Sequence, residues 1–180
     1  MVRLDPNAFD VRVLYDPVNP KTVSEWAVVS GGVLTVNGSY FSPEGDGGYE
    51  TIGLLVSDGQ RWGTPLQDFA GMLAIGYDHQ VSVRWLRHRP YNPAEPLAQA
   101  LQSFPILVKP GGIMGFPEDA DDGTPARRTV VGQDTEGNLL FVLAPRGTMS
   151  LHELAVLLGE PGLGLDVALN LDGGRSSGMW

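Results

Sequence analysis

The sequence predicts a single α+β domain spanning residues 1–180, with a mixed, mostly antiparallel sheet and two or three helices packed on it. Glycine (24 residues) and proline (14 residues) are abundant, which favours short strands joined by many turns. Short runs of strand-like pattern outnumber the stretches with helical spacing. A chain of 180 residues with 42% hydrophobic and 18% charged residues has the length and composition of one folded domain.

Three segments have helical signals. Thr22 and Ser150 are each followed by a glutamate three residues later, which is the capping-box pattern. We therefore expect one or two helical turns after Thr22 and a longer helix from Ser150 to about residue 158. Pro96 precedes apolar residues at helical spacing over residues 97–104, and this pattern predicts a further helix.

Strands are predicted where short apolar or alternating runs end at turn residues. The Asp58-Gly59 pair predicts a tight hairpin, and residues 42–48 predict a loop rich in glycine and acidic residues. The predicted strands are residues 11–15, 34–36, 52–56, 73–77, 81–86, 105–108, 129–131, 139–144 and 167–171.

Charge and composition exclude several classes of function. The net charge is −9 and no basic run compensates for it, so we expect no nucleic-acid partner. A small anionic ligand stays compatible, because a few local arginines act within a Debye length. The chain has no cysteine, which excludes disulfides, thiolate catalysis and zinc–thiolate sites. We recognise no transmembrane segment and no signal peptide, and we expect the domain to be truncated after Trp180, with further strands lost.

The most informative segment is residues 168–178, where a predicted buried strand ends in a polar, glycine-rich loop. Asp172 directly follows the strand, and Gly173 and Gly174 allow backbone conformations in which amide N–H groups converge on one anionic point. This pattern predicts a site for a substrate with hydroxyl groups and negative charge. The alternative is a plain turn, since Asp and Gly are the commonest turn residues. The other polar residues of this segment are Asn170, Arg175, Ser176 and Ser177.

A second polar pair, Asn37-Gly38, ends the predicted strand 34–36. Two loops at strand ends can face one cleft, as ligand sites of open sheets often do. Asn-Gly is also the commonest hairpin turn, so the pair alone does not establish a site.

Other candidates have simpler interpretations. The acidic run over residues 118–122 lacks the carboxylate that an EF-hand needs at its twelfth position, because counting from Asp119 places Val130 there, and we favour a solvated loop. Glu153 could act as an acid catalyst, but its capping-box position favours a role at the helix start. The three histidines, His79, His88 and His152, are too scattered to predict a metal cluster.

Taken together, several segments in order resemble the phosphodiester glycosidase domain family, whose bacterial members are often labelled exopolysaccharide biosynthesis proteins. The resemblance covers residues 12–177. Residue Arg175 departs from the family pattern, which usually has a third glycine there, so positive φ is not easily accessible; the side chain either adds a phosphate contact or blocks the pocket. The matching segments are an Asn-Gly-x-aromatic-Phe segment at 36–41, a Leu-Gln-x-x-Pro-x-Leu stretch at 99–108 with Gly111-Gly112, an Arg-Thr-x-x-Gly strand at 128–132, a Glu-Leu-Ala helix at 147–155 and the run at 168–174.

The resemblance implies hydrolysis of a sugar joined through its anomeric carbon to a phosphodiester. Asp172 would then be the carboxylate near the sugar, as nucleophile, base or electrostatic partner, and Arg128 and Arg146 would hold phosphate oxygens. Asn37 and Asn170 would bind hydroxyls or orient the carboxylate. Of these, Asp172, Arg128 and Asn170 are the expected catalytic residues. The expected substrate-binding residues are Asn37, Gly38, Phe41, Thr129, Arg146, Gly173, Gly174, Arg175, Ser176 and Ser177.

Two further functions stay open at this point. One is a non-catalytic module that binds cell-surface glycans, and the other is a metal-dependent phosphodiesterase in which Asp172 and the acidic loop recruit a divalent ion. We expect no cofactor, with a divalent cation as the alternative. The expected partner is a small-molecule or polysaccharide sugar-phosphate, and the family implies a place outside the cell or in the cell envelope of a bacterium. The oligomeric state is not predicted.

Overall fold

In the computed structural model, which describes residues 1–43 and 48–180, thirteen strands and two α-helices form the fold. The helices are α1 (Val23–Ser30) and α2 (Leu151–Leu158). The strands are β1 (Val2–Leu4), β2 (Phe41–Pro43), β3 (Tyr49–Thr51), β4 (Leu55–Ser57), β5 (Gln60–Trp62), β6 (Gly71–Gly76), β7 (Val81–Trp85), β8 (Leu97–Ser103), β9 (Ile106–Lys109), β10 (Ile113–Met114), β11 (Ala126–Asp134), β12 (Leu139–Met149) and β13 (Leu165–Asn170).

The strands form two large sheets and one small one. The first large sheet has the order β1-β12-β11-β13-β9-β10, and the second has the order β5-β4-β8-β6-β7. Strands β2 and β3 pair as a separate two-stranded sheet. Every strand pair in the described part of the chain is antiparallel, and the α+β class predicted from the sequence is confirmed.

The hydrophobic core forms three layers, because successive residues of a strand face opposite sides of its sheet. On β11, Val131 faces the second sheet, where it joins a cluster with Leu73 and Leu101. Its neighbour Val130 faces the other way and packs in a cluster with Leu154 of α2. A third cluster covers the far side of the second sheet. The molecule is therefore ordered as helix α2, six-stranded sheet, five-stranded sheet and covering loops.

Both capping boxes predicted from the sequence are present. The Thr22 hydroxyl accepts from the Glu25 amide, and the Glu25 carboxylate accepts from the Thr22 amide at 2.8 Å. At the start of α2, Ser150 and Glu153 make the same reciprocal pair. The helices after Thr22 and Ser150 are confirmed, and Glu153 serves as a capping residue.

The helix predicted over residues 97–104 is wrong, since this segment forms β8 between β4 and β6. Tertiary pairing overrides the helical spacing, because β8 supplies hydrogen bonds to a neighbour on each side. Its two glutamines are buried and bind backbone groups of adjoining loops. The Gln99 side chain accepts from the Val13 amide at 3.2 Å, and Gln102 accepts from the Leu54 amide at 3.0 Å.

Two predicted strands are also wrong or much reduced. Residues 11–15 do not form a strand, and residues 34–36 form only one bridge, between Val36 and Met179. The Asp58-Gly59 hairpin is confirmed, with φ of 49° and 78° in the turn between β4 and β5. Residues 44–47 of the predicted acidic loop lie outside the described residues. In the described ranges, none of the helices has the length and apolar character needed to cross a membrane.

Candidate active site

The predicted site lies at the end of β13, which runs between β11 and β9. Val130 of β11 pairs with Asn170, and the Asn170 amide donates to the carbonyl of Pro105, just before β9, at 3.0 Å. The loop that follows Asn170 therefore has β11 on one side and the start of β9 on the other. This placement decides which side chains can meet around Asp172.

The Asn37-Gly38 segment crosses over the end of β13, although residues 34–36 before it form a single bridge rather than the predicted strand. The Asp172 amide donates to the Gly38 carbonyl at 3.0 Å, and the Asn37 Nδ2 donates to the Asp172 carbonyl at 2.8 Å. The Asn37 Oδ1 accepts from the hydroxyl of buried Thr129 at 2.7 Å and from the Gly178 amide at 3.0 Å. These bonds place Asn37 and Thr129 as residues that position the Asp172 backbone.

Asn170 is almost completely buried, with 1% of its surface exposed. Its Nδ2 lies 2.9 Å from the Tyr40 hydroxyl, 3.0 Å from the Phe104 carbonyl and 2.7 Å from the Leu171 carbonyl. Its Oδ1 is buried and has no partner in the described ranges, 1–43 and 48–180. Asn170 therefore ties the end of β13 to the residues on the β9 side.

Tyr40 is a site residue that the sequence reasoning missed. Its hydroxyl donates to the Phe104 carbonyl at 3.0 Å and accepts from Asn170. Burial and then the nearby Asp172 carboxylate raise the pKa of Tyr40 to about 12, against the lowering effects of the Asn170 hydrogen bond and the Arg128 charge. The hydroxyl is therefore neutral at physiological pH, close to both an acid and a guanidinium.

Tyr40 occupies the aromatic position of the Asn-Gly-x-aromatic-Phe motif, which could have indicated its role. The residue predicted from that motif to bind substrate was its neighbour Phe41. Phe41 begins β2, is 45% exposed, and packs its ring against Tyr49 with centroids 5.1 Å apart. Neighbouring residues of an extended segment face opposite sides, so one aromatic ring of the pair reaches Asn170 and the other lies against β3.

The two glycines after Asp172 are required for different reasons, a close backbone approach at Gly173 and a positive φ at Gly174. Gly173 has extended backbone (φ −122°), but a Cβ there would lie 2.9 Å from the Arg127 carbonyl oxygen, so only glycine fits without a shift. Gly174 has φ of 58°, the left-handed region that favours glycine. The Gly173 amide donates to Asp172 Oδ1 at 2.8 Å and is therefore occupied by the carboxylate.

Arg128 projects an unused donor toward this loop. Its Nη2 donates to the Thr124 carbonyl at 2.9 Å, and its Nε lies 3.5 Å from the Met149 carbonyl. Its Nη1 makes no hydrogen bond to any described residue, and lies 4.0 Å from where a Cβ on Gly173 would be. A guanidinium fixed at two points, with free N–H groups beside a carboxylate loop, is suited to hold a phosphate oxygen.

Arg127, the neighbour of Arg128 on β11, binds the backbone of the glycine loop. Its Nε donates to the Gly174 carbonyl at 2.7 Å and its Nη2 donates to the Arg175 carbonyl at 3.0 Å. Arg127 thus clamps the glycine loop from the neighbouring strand. Arg175 itself is exposed and does not have positive φ, so it replaces the family's glycine without backbone strain.

The side chains of the remaining predicted residues make no hydrogen bond to the carboxylate among the described residues. The Arg146 side chain is exposed and makes no hydrogen bond or ion pair with the described part of the chain, so no such contact holds it at the loop. The Ser176 amide donates to the Gly173 carbonyl at 3.1 Å. Ser177 is buried, and its hydroxyl has no partner within residues 1–43 and 48–180.

Two surface hollows lie away from this site. One, of about 500 Å³, is lined by residues that include Leu66, Leu86 and Tyr91, and another, of about 330 Å³, includes Phe9 and His79. Neither includes a predicted site residue. In the described ranges, no group of three or more His, Cys, Asp or Glu residues is placed to hold a metal ion.

Comparison with known proteins assigns the class. The sequence profile of the phosphodiester glycosidase family matches residues 30–180, and the chain belongs to that family of glycosidase-type hydrolases. The match includes every residue of the site described above. The resemblance stated from the sequence motifs is confirmed.

Solved structures show the same fold at low sequence identity. The catalytic domain of zebrafish N-acetylglucosamine-1-phosphodiester alpha-N-acetylglucosaminidase, auto-inhibited by its pro-peptide, is 22% identical with a TM-score of 0.66, over 89% of this chain and 57% of that one. A hypothetical protein from Synechocystis is 16% identical with a TM-score of 0.53, over 88% and 49%. A candidate exported protein from Burkholderia pseudomallei is 14% identical with a TM-score of 0.63, over 91% and 64%. The chain thus spans about half to two thirds of the lengths of these proteins. No curated protein matches the chain.

Proposed function

We propose that the protein hydrolyses the bond between the anomeric carbon of a sugar and a phosphodiester, releasing free sugar and a phosphomonoester. The observation that carries this proposal is the pairing of one held carboxylate with one unused guanidinium donor at the end of β13. Asp172 supplies the carboxylate, and Arg128 supplies the free Nη1. The family profile supports the same reaction class.

The reaction needs little help from an acid catalyst, because the phosphate group that departs from the anomeric carbon, as a phosphomonoester, is already a good leaving group. The larger demands are to hold the phosphate and to stabilise positive charge at the anomeric carbon. Arg128 holds a phosphate oxygen through charge-assisted hydrogen bonds. The carboxylate of Asp172 faces the anomeric carbon through Oδ2, since Oδ1 is engaged by the Gly173 amide. Water adds to that carbon as the bond to the phosphate oxygen breaks, and the departing phosphomonoester takes up the bonding electron pair and the proton that the water loses.

The decisive experiment is a panel of sugar 1-phosphate diesters, assayed for released sugar with and without EDTA. The zebrafish relative is named for N-acetylglucosamine 1-phosphodiesters, so the methyl phosphodiester of N-acetylglucosamine 1-phosphate is the first member. Saturable binding with no sugar released from any member would favour a glycan-binding module. Loss of activity in EDTA would favour the metal-dependent phosphodiesterase.

The carboxylate assignment has its own test. Asp172→Asn should lower turnover by at least about two orders of magnitude with folding intact, a loss typical of removing an acid–base or charge-stabilising group. Asp68→Asn, at an exposed carboxylate outside the site, is the matched control and should leave turnover unchanged. Near-normal turnover in Asp172→Asn would remove Asp172 from the mechanism.

We also propose that the protein is bacterial and acts outside the cytoplasm, in the cell envelope or beyond it. Its substrate would then be a sugar-phosphate of the cell surface or of an exopolysaccharide. The support is the Burkholderia structure described as a candidate exported protein. Fractionation of cells that express the protein from its native gene tests the location, and recovery in the cytoplasm alone would contradict it.

A further inference from the structure

Next to the carboxylate lies an aromatic cluster formed by Tyr40, Phe69 and Phe104. The Phe104 ring centroid is 4.6 Å from that of Phe69 and 4.8 Å from that of Tyr40. Phe69 is buried at 8% exposure, whereas Phe104 is 39% exposed. Phe104 is therefore an exposed ring held in place by two others.

The cluster is joined to the site by hydrogen bonds. The Phe104 carbonyl accepts from the Tyr40 hydroxyl and from the Asn170 Nδ2, each at 3.0 Å. Because Asn170 is the last residue of β13, two residues before Asp172, the exposed ring is fixed to the segment that carries the carboxylate. Such rigid anchoring is what a binding surface needs, since little side-chain freedom is lost when a ligand packs on it.

The strand order gives this cluster a definite side of the site. Strand β13 lies between β11 and β9, so Arg128 flanks the Asp172 loop on the β11 side and Phe104 flanks it on the β9 side. The segment from Asn37 to Tyr40 crosses from one side to the other, because Asn37 bonds Thr129 of β11 and Tyr40 bonds Phe104. The positive charge of Arg128 and the apolar surface of Phe104 therefore lie on opposite sides of the Asp172 carboxylate.

The geometry points to Phe104 as the platform on which the sugar ring of the substrate stacks, with the phosphate directed toward Arg128. This inference rests on the proposed function for the identity of the substrate. A pyranose has an apolar face of C–H groups, and the negative face of an aromatic ring attracts it. With the phosphate on the β11 side and the anomeric carbon at Asp172, the sugar ring has to lie on the β9 side.

Two fragment probes test the two sides separately. Methyl N-acetylglucosaminide contains the sugar without phosphate, and dimethyl phosphate contains the phosphodiester without sugar. Dissociation constants from ligand-observed NMR need no turnover. Phe104→Ala should weaken binding of the sugar probe about tenfold, as expected for loss of one aromatic stacking contact, and should leave dimethyl phosphate binding unchanged. Arg128→Gln should produce the reverse pattern.

Further variants separate stacking from folding. Phe104→Leu keeps an apolar side chain against Phe69 but removes the aromatic ring, so it should bind the sugar probe as weakly as Phe104→Ala does. Phe104→Trp keeps an aromatic ring and should retain the affinity for the sugar probe. Phe9→Ala removes a ring of similar exposure (42%) away from the site and is the matched control. Thermal unfolding of each variant identifies any that no longer folds.

The inference is overturned if the sugar probe binds Phe104→Ala or Phe104→Leu as tightly as the wild type, or if it does not bind the wild type. An equal loss of dimethyl phosphate in Phe104→Leu would also overturn it, because the phosphate would then lie on the same side. If the sugar probe depends on Phe104 but no phosphodiester is cleaved, the platform stands and only the proposed hydrolysis fails.

Discussion

Removing the Asn37 side chain should destabilise the whole protein, because this one amide joins three separate segments. It donates to the Asp172 carbonyl at 2.8 Å and accepts from the Thr129 hydroxyl at 2.7 Å and the Gly178 amide at 3.0 Å. Each intramolecular hydrogen bond contributes about 1 kcal/mol net, and Thr129 is 0% exposed, so its hydroxyl would lose its partner away from water. Asn37→Ala should therefore lower the free energy of unfolding by about 3 kcal/mol.

Guanidinium unfolding followed by the fluorescence of the four tryptophans measures this loss. A double-mutant cycle with Thr129→Val isolates the contact between the two side chains, whose coupling should be about 1 kcal/mol. Asn19→Ala is the control, since Asn19 is exposed and uses only backbone atoms in its hydrogen bonds, and its effect should stay within about 0.5 kcal/mol.

A loss below about 1 kcal/mol for Asn37→Ala, or no coupling with Thr129→Val, would refute the reasoning. Asn37 would then not hold the Asp172 backbone, and a direct contact with substrate hydroxyls would become its better interpretation. Loss of activity with full stability would point to the same conclusion.

Two other substitutions test contacts around the site and in the second sheet. Gly173→Ala should lower the free energy of unfolding by about 1–3 kcal/mol and remove most of the turnover, because its Cβ would lie 2.9 Å from the Arg127 carbonyl oxygen. Gly162→Ala is the control, since open space surrounds Gly162, and it should be close to neutral in the same denaturation and turnover assays. The Arg84 guanidinium, bonded to Glu95 at 2.7 and 2.8 Å, holds the pKa of the Glu95 carboxyl below its usual range. A depressed pKa stabilises the fold at neutral pH, so this contribution should be lost as the pH falls below about 4.5, and Glu95→Gln should remove that part of the pH dependence of the unfolding midpoint. If the unfolding midpoint of Glu95→Gln falls at acidic pH as steeply as that of the wild type, the ion pair contributes nothing to stability.

Local signals in the sequence predicted the parts of the fold that depend on neighbouring residues. The capping boxes at Thr22 and Ser150 and the Asp58-Gly59 turn each involve groups no more than three residues apart, and all three are present. The helix predicted over residues 97–104 was wrong because the secondary structure of this segment depends on β4 and β6, which flank it only in the folded chain. Periodicity cannot report a neighbour that is distant in sequence.

The site divides in the same way. Asp172 and its glycines follow a predicted strand, so their loop could be identified from the sequence. The contact with Asn37-Gly38 was also expected, although the strand predicted before Asn37 is only one bridge. Tyr40 became a site residue only through Asn170, which lies 130 residues away. No local pattern separates the two aromatic residues at positions 40 and 41.

The adjacent arginines of β11 show why residue type alone could not assign the site. In the sequence, Arg127 and Arg128 are equivalent basic residues before a strand. In the folded chain, two nitrogens of Arg127 donate to carbonyls of the glycine loop, while Nη1 of Arg128 lies beside the loop and bonds none of the described residues. Because the loop is already clamped by one guanidinium, the other can bind an anion without being needed to hold the backbone.

The same division reconciles the proposed phosphodiester substrate with the net charge of −9. The overall field repels anions at long range, but it is screened beyond about 8–10 Å at physiological ionic strength. Within that distance, a phosphate at the β13 loop meets the free Nη1 of Arg128, whose other nitrogens are bonded only to neutral carbonyls. Within residues 1–43 and 48–180 no ion pair neutralises its positive charge, so the proposed recognition of phosphate would depend on this local charge rather than on the net charge of the protein.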